Sequence, residues 1–163
     1  TNDQNLRDNY HKRSRRGRSA ALNMVLTETG AANAVVKVVP ELAGKLTGNA
    51  VRVPTPNVSM AIMTLTLTSE TSKDELNEFL RDIALHSKLQ DQISYTQSPD
   101  AVSSDFVGTR EAGIVDSNAT IVNGRHCALY LWYDNEFGYC CQVGRMVYKM
   151  AGVRFQTYPV DWK

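Results

Sequence analysis

The sequence predicts an α+β fold, a mixed, largely antiparallel sheet with helices on one face. Three observations lead there. Residues 58–68 and 125–133 alternate at the strand period. Asn123-Gly124 separates the second of these from a short apolar run at 119–122, as a hairpin turn does. Helical and strand patterns then follow one another without regular β-α alternation, which disfavours a doubly wound parallel sheet.

Length and charge narrow the classes. A chain of 163 residues suits one compact domain with a real hydrophobic core. A formal net charge of +1 gives no global field that favours nucleic acid or acidic partners. No apolar run approaches a membrane span, and none reads as a secretory leader. The cysteines are Cys127, Cys140 and Cys141; the last two are adjacent, and no CxxC pattern offers a zinc site. This usage reads as a reducing, cytoplasmic compartment.

Residues 1–18 are polar and basic, with Arg7, Lys12, Arg13, Arg15, Arg16 and Arg18, and form a long loop or arm. The cluster could serve nucleic acid, but Tyr10 is its one aromatic and Asp3 and Asp8 dilute it; anions or an intersubunit surface are equally served. Residues 19–26 are apolar enough to be buried. Thr27-Glu28-Thr29-Gly30 then precedes an Ala/Val-rich helix at 31–39 that stops at Pro40. Thr29-Gly30 is either a plain N-cap or, through free N–H groups and the helix dipole, an anion site.

A strand at 49–53 breaks at Pro54-Thr55-Pro56-Asn57. Within it Arg52 points to the opposite side from Val51 and Val53, as an exposed edge residue or a buried cation with an anionic partner. The 58–68 strand is apolar on both faces, so one face packs on helices and the other on a further domain or subunit. Ser72 opens a helix to about Ser87 with a capping-box pattern, its apolar face Leu76, Phe79, Leu80, Ile83 and Ala84. Short strands are expected at 93–96, 113–115 and 119–122. A last helix, 136–151, carries the stripe Phe137, Val143, Met146, Val147 and Met150 and ends at Gly152. Asp134 and Asn135 stand at the seam between strand and helix, where such side chains cap helix N–H groups.

The chemistry is one of anions rather than nucleophiles. His11, His86 and His126 have no Cys or carboxylate at ligand spacing, so no metal is expected. The cysteines fall where core packing is the default. Thr1, Arg16, the Thr29-Gly30 turn and Arg52 repeat the chemistry of anion binding.

Three motifs carry a resemblance. They are Trp132 to Tyr139 (WYDNEFGY), Arg52 to Ser59 (RVPTPNVS), and Thr29 to Ala32 (TGAA) with Pro40-Glu41-Leu42 and Gly44-Lys45-Leu46. In order and spacing they resemble the C-terminal catalytic domain of phosphorylating glyceraldehyde-3-phosphate dehydrogenases. The resemblance implies a catalytic domain over 1–153 that opens with an S-shaped loop, 1–25, at a tetramer core beside the cofactor. It leaves 154–163 as a tail and the N-terminal dinucleotide-binding domain outside the chain. With no initiator Met, the chain reads as a fragment of a longer protein.

That family oxidises and phosphorylates its glycolytic substrate, glyceraldehyde 3-phosphate, with NAD, or NADP in some members. A Cys attacks the aldehyde, a His activates it, a hydride passes to the nicotinamide and phosphate releases the acyl group. By the same resemblance the Cys and His lie ahead of Thr1, so the chain holds no catalytic residue and is inactive alone. Thr1 and Arg52 match the site for the sugar phosphate. Thr29 and Gly30 match the site for inorganic phosphate, with Arg16 assisting. Asn135 matches the residue that binds the nicotinamide carboxamide, with Tyr139 near it. Asp3 stands where many members have Thr, and Leu26 replaces a frequent Pro. Alternatives are erythrose-4-phosphate dehydrogenase, whose members usually depart from these motifs, and a non-catalytic binding or assembly module.

Overall fold

The computed structural model describes residues 5–153, and the chain divides into two compact units between Pro56 and Asn57. The first unit begins with a loop held by its own backbone. Asn9 N–H donates to Gly17 O at 2.9 Å and Ala20 N–H to Asn5 O at 2.9 Å. Asp8 accepts from the Ser19 N–H and pairs with Arg18 at 3.2 Å. Two short helical turns, Ser14–Gly17 and Ala20–Leu22, lie in this loop.

Strand β1, Val25–Glu28, then pairs antiparallel with β2, Asn49–Arg52, and helix α1, Ala31–Val38, lies between them in sequence. The burial expected for 19–26 is confined to Ala20 and Val25. Leu22, Met24 and Leu26 are exposed, because a two-stranded ribbon has one inner face and its alternation turns Leu26 away from it.

The second unit is built on a five-stranded mixed sheet, in keeping with the predicted α+β class. Its strands are β3, Ser59–Thr66; β4, Ile93–Thr96; β5, Gly113–Asp116; β6, Ile121–Asn123; and β7, His126–Tyr133. Strand β7 pairs antiparallel with β3 along its whole length, from Ser59↔Tyr133 to Thr66↔His126. Its other edge is divided: β5 takes Leu131 and Trp132, and β6 takes His126 to Ala128. Strand β4 extends the sheet by pairing parallel with β5. Helices α2, Lys73–His86, and α3, Phe137–Met150, complete the unit.

Local signals explain most boundaries. Ser72 Oγ accepts the Glu75 N–H at 3.2 Å while Glu75 Oε2 accepts the Ser72 N–H at 2.8 Å, a full capping box. The hairpin turn is centred one residue later than Asn123-Gly124. Asn123 pairs with His126 in the ladder, and Gly124 at φ 59° leads the two-residue turn. A positive φ at the first central residue only is the type II′ pattern, and it needs Gly there. Strand β3 starts at Ser59 rather than 58 because Val58 has a φ of 70°, outside the strand region.

The core is small. Val58, Phe106 and Ile114 form its buried centre, with Ala101 and Trp132 packed against them. The Phe106 and Trp132 rings stack at 5.3 Å and 17°, a contact that contributes about 0.5–1.5 kcal/mol beyond area burial. On the opposite sheet face Val115, Cys127 and Leu129 are buried.

Several predicted apolar faces look outward instead. In α2, Phe79 is 60 % exposed while Leu76, Leu80, Ile83 and Ala84 turn inward. In α3 the whole stripe from Phe137 to Met150 is exposed, and the inner face is Gly138, Cys141, Gln142 and Arg145. Gly138 is placed there by close approach: an added Cβ would lie 2.8 Å from Glu111 O. The helix is held by Gln142 Nε2, which donates to Arg110 O at 2.9 Å and Asp91 O at 3.2 Å.

Candidate functional site

The first unit carries Arg16, Thr29, Gly30 and Arg52. Arg52 closes β2, and the ladder places it beside Val25, on the face that also holds Thr27 and Ala50. Its Nε donates to Thr27 Oγ1 at 3.0 Å, which fixes the plane of a half-buried guanidinium. The alternative of a wholly exposed edge Arg is therefore set aside. Thr27 is buried and had not stood out in the sequence, although its alternation with Val25 marks it as inward.

Thr29 and Gly30 follow directly from β1. The Thr29 hydroxyl accepts the Ala31 N–H at 3.2 Å, so one of the orphan donors of α1 has a partner within the chain. Gly30 is the N-cap at φ −88°, and a Cβ there would meet nothing within 4 Å. Neither backbone conformation nor packing requires glycine at this position. Arg16 lies half-buried in the Ser14–Gly17 turn, which packs on β1. Thr1 and Asp3 lie outside the described residues, as does the 154–163 tail.

The second unit holds Asn135 and Tyr139, positioned by Asp134. Asp134 is 2 % exposed and accepts four hydrogen bonds. Oδ1 takes the N–H groups of Glu136 and Phe137, both at 2.9 Å, and so caps α3. Oδ2 takes the Gly108 N–H at 2.8 Å and Asn57 Nδ2 at 3.0 Å. The capping half was legible in the sequence; the long-range half, to residues 57 and 108, was not. Foremost the Gly108 amide, then those of Phe137 and Glu136 and the Asn57 side chain, hold the carboxyl pKa down to about 2 against the opposing effect of burial.

Asn135 is exposed beside this hub, and Ser59 Oγ donates to its Oδ1 at 2.8 Å. Its amide nitrogen makes no hydrogen bond among the described residues. A carboxamide ligand fits such a group, since the amide N–H can donate to a carbonyl oxygen. Tyr139 stands on the first turn of α3, 69 % exposed.

The remaining reactive side chains are dispersed. Cys127 is buried in β7, Cys140 is exposed and Cys141 half-buried on α3. His126 Nδ1 contacts Thr66 Oγ1 at 3.3 Å, and His11 Nδ1 lies 3.0 Å from the Arg13 backbone. Among the described residues no group of three or more His, Cys, Asp or Glu could hold a metal, and no helix is long and apolar enough to cross a membrane.

The model of the glyceraldehyde 3-phosphate dehydrogenase C-terminal domain matches residues 1–135. The chain belongs to that family. A glyceraldehyde-3-phosphate dehydrogenase-like protein of Pseudomonas aeruginosa (strain UCBPP-PA14) is 62 % identical over 159 residues, 98 % of this chain and 34 % of that protein. A glyceraldehyde-3-phosphate dehydrogenase of another Pseudomonas aeruginosa strain is 48 % identical over 139 residues, 85 % of this chain and 40 % of the relative. Glyceraldehyde-3-phosphate dehydrogenase 2 of Nostoc sp. (strain PCC 7120) is 46 % identical over 144 residues, 88 % of this chain and 42 % of the relative. The chain thus spans about a third to two fifths of the length of these relatives. Within the glyceraldehyde 3-phosphate dehydrogenase family, this is a C-terminal-domain sequence.

Proposed function

We propose that the chain is the substrate-holding half of an enzyme that oxidises and phosphorylates glyceraldehyde 3-phosphate with NAD or NADP. The observation that carries this reading is Arg52 locked to Thr27 on the ribbon that runs into Thr29-Gly30. The guanidinium supplies a planar cationic fork for a phosphate group, with Thr1 as the matching hydroxyl donor. Gly30, which the fold does not need, suits an anion that approaches the backbone at the start of α1. Arg16 adds positive charge to the same unit. Thr29 serves as hydroxyl donor to inorganic phosphate and orders the first turn.

Asn135 and Tyr139 belong to the cofactor side of the reading. A bound nicotinamide cofactor supplies the hydride acceptor; Asn135 orients its carboxamide, and Tyr139 packs near it. The reacting Cys and His are supplied by sequence outside this chain, so the chain alone is inactive. The complete enzyme works in the cytoplasm as a homotetramer, and the exposed apolar faces of β3 and α3 suit coverage by protein. Erythrose 4-phosphate would meet the same fork, but the intact TGAA, PTPN and YDNEF stretches favour the shorter sugar phosphate.

The test is Arg52→Ala in the native gene product that carries this chain. Losing a charged hydrogen-bond partner costs roughly 1.5–3 kcal/mol, so the KM for glyceraldehyde 3-phosphate should rise about ten- to a hundredfold. Arg52→Lys should recover only part, because the fork is lost. An unchanged KM in Arg52→Ala would overturn the assignment of Arg52.

A further inference from the structure

We propose that Thr27 is a positioning residue for sugar-phosphate recognition: through Arg52 it sets the direction and the plane of the guanidinium, and with them the preference for the phosphorylated aldehyde over the same aldehyde without its phosphate. This rests on the reading of Arg52 as the contact to the sugar phosphate.

The ladder of the first unit supplies the geometry. Arg52 is paired with Val25, and Ala50 with Thr27, so an arginine that reached straight across would lie over Val25. Its Nε instead donates to Thr27 Oγ1 at 3.0 Å, the diagonal neighbour on β1. The side chain therefore leans along the ribbon toward the Thr29-Gly30 end. Ala50, on the same face opposite Thr27, adds only a methyl group beside that course.

The direction of this bond is fixed by the partners. Arginine carries N–H donors and no acceptor, so Thr27 Oγ1 accepts, wherever its own proton points. The accepting oxygen is also held in place. Thr27 is buried, and a β-branched side chain has little freedom at χ1.

An oxyanion meets a cation that is oriented before it arrives. A guanidinium can grip a phosphate with two parallel N–H bonds, and with Nε engaged by Thr27 that grip falls to the terminal nitrogens. Thr27 is neutral, so it orients the cation without cancelling its charge. The adjacent carboxylate, Glu28, is turned to the other face by strand alternation and pairs there with Arg13 at 3.2 Å. A phosphate group is bound more tightly for this arrangement; an aldehyde without one is indifferent to it.

The experiment measures kcat and KM for glyceraldehyde 3-phosphate and for glyceraldehyde. It uses the native gene product that carries this chain and its Thr27→Val, Thr27→Ser, Arg52→Ala and Thr27→Val/Arg52→Ala variants. Valine keeps the shape and strand preference of threonine and removes the acceptor. Thr27→Val should raise the KM for glyceraldehyde 3-phosphate about three- to tenfold, with kcat moving far less. The preference for the phosphorylated aldehyde, as a ratio of kcat/KM values, should fall by the same factor. Thr27→Ser should restore both. Added to Arg52→Ala, Thr27→Val should cost less than about twofold more, because it acts through the arginine.

An unchanged KM in Thr27→Val beside a raised one in Arg52→Ala would overturn the proposal alone. So would an equal loss for glyceraldehyde, no recovery in Thr27→Ser, or losses that multiply independently in the double variant. If Arg52→Ala itself leaves the KM for glyceraldehyde 3-phosphate unchanged, the assignment of Arg52 fails, and this proposal with it.

Discussion

The Asp134 carboxylate accepts the Gly108 N–H at 2.8 Å, tying the loop after the Ser103–Phe106 turn to the first turn of α3. With Asn57 on the same oxygen, three distant segments converge on one buried anion. Asp134→Asn tests this arrangement. An amide has one oxygen, so either the pair Gly108 and Asn57 or the pair Glu136 and Phe137 would face an N–H donor. The variant should lose roughly 1.5–3 kcal/mol, read as a lower Tm of this chain.

Acid should expose the same group. The folded pKa of Asp134, about 2, lies below the ordinary carboxylate value of 3.8. A depressed folded pKa contributes stability that is fully present above the unfolded value and is lost as pH falls through the folded one. The unaltered chain should therefore lose part of its stability between about pH 4 and pH 2. Denaturant midpoints measured across that window should fall more steeply for it than for Asp134→Asn.

Two glycines of α3 should respond with opposite signs. Alanine favours a helix interior over glycine by about 1 kcal/mol. At Gly144 a Cβ would meet nothing within 4 Å, so Gly144→Ala should raise stability by about that amount. At Gly138 the Cβ would press on Glu111 O at 2.8 Å, between rigid backbones. Overpacking costs about 1–3 kcal/mol, so Gly138→Ala should come out net destabilised. Chemical denaturation of both variants checks the pair.

This chain should self-associate. Met60 and Ile62 on β3, and Val143, Met146, Val147 and Met150 on α3, are exposed large apolar side chains. Exposed apolar side chains repeated along one strand and one helix favour association. Light scattering should report a mass that grows with protein concentration and falls in mild denaturant; a constant monomer mass at high concentration would contradict this.

How much of this was legible in the sequence varies by the range of the interaction. The α2 capping box, the β3 and β7 alternation and the cap at Asp134 are local, and the residues within a few positions decide them. The hairpin at Gly124 slipped by one residue because Asn and Gly both tolerate positive φ, and only the pairing of Asn123 with His126 decides which does so. The α3 stripe was visible as a pattern, but a pattern does not say what covers it. Here a glycine contact and Gln142 seat the helix, and the stripe stays outside. The Arg52–Thr27 and Ser59–Asn135 bonds span 25 and 76 positions, and no periodicity reports such pairs. Asn135 and Arg52 were found through the motifs they sit in; their partners Ser59 and Thr27 needed the ladder registers.

Val58 puts two demands on one position. Its φ of 70° belongs to glycine and asparagine, and a β-branched residue held there carries on the order of 1–3 kcal/mol of backbone strain. Its side chain is nonetheless buried against Phe106 and Ile114. Glycine would relax the chain and leave a void; asparagine would suit the turn and bring an amide into an apolar pocket; leucine would keep the oil and the strain together. A saturation library at codon 58 should therefore return no clear winner, and the survivors should be rescued by second changes at the residues lining the pocket rather than by any single better letter.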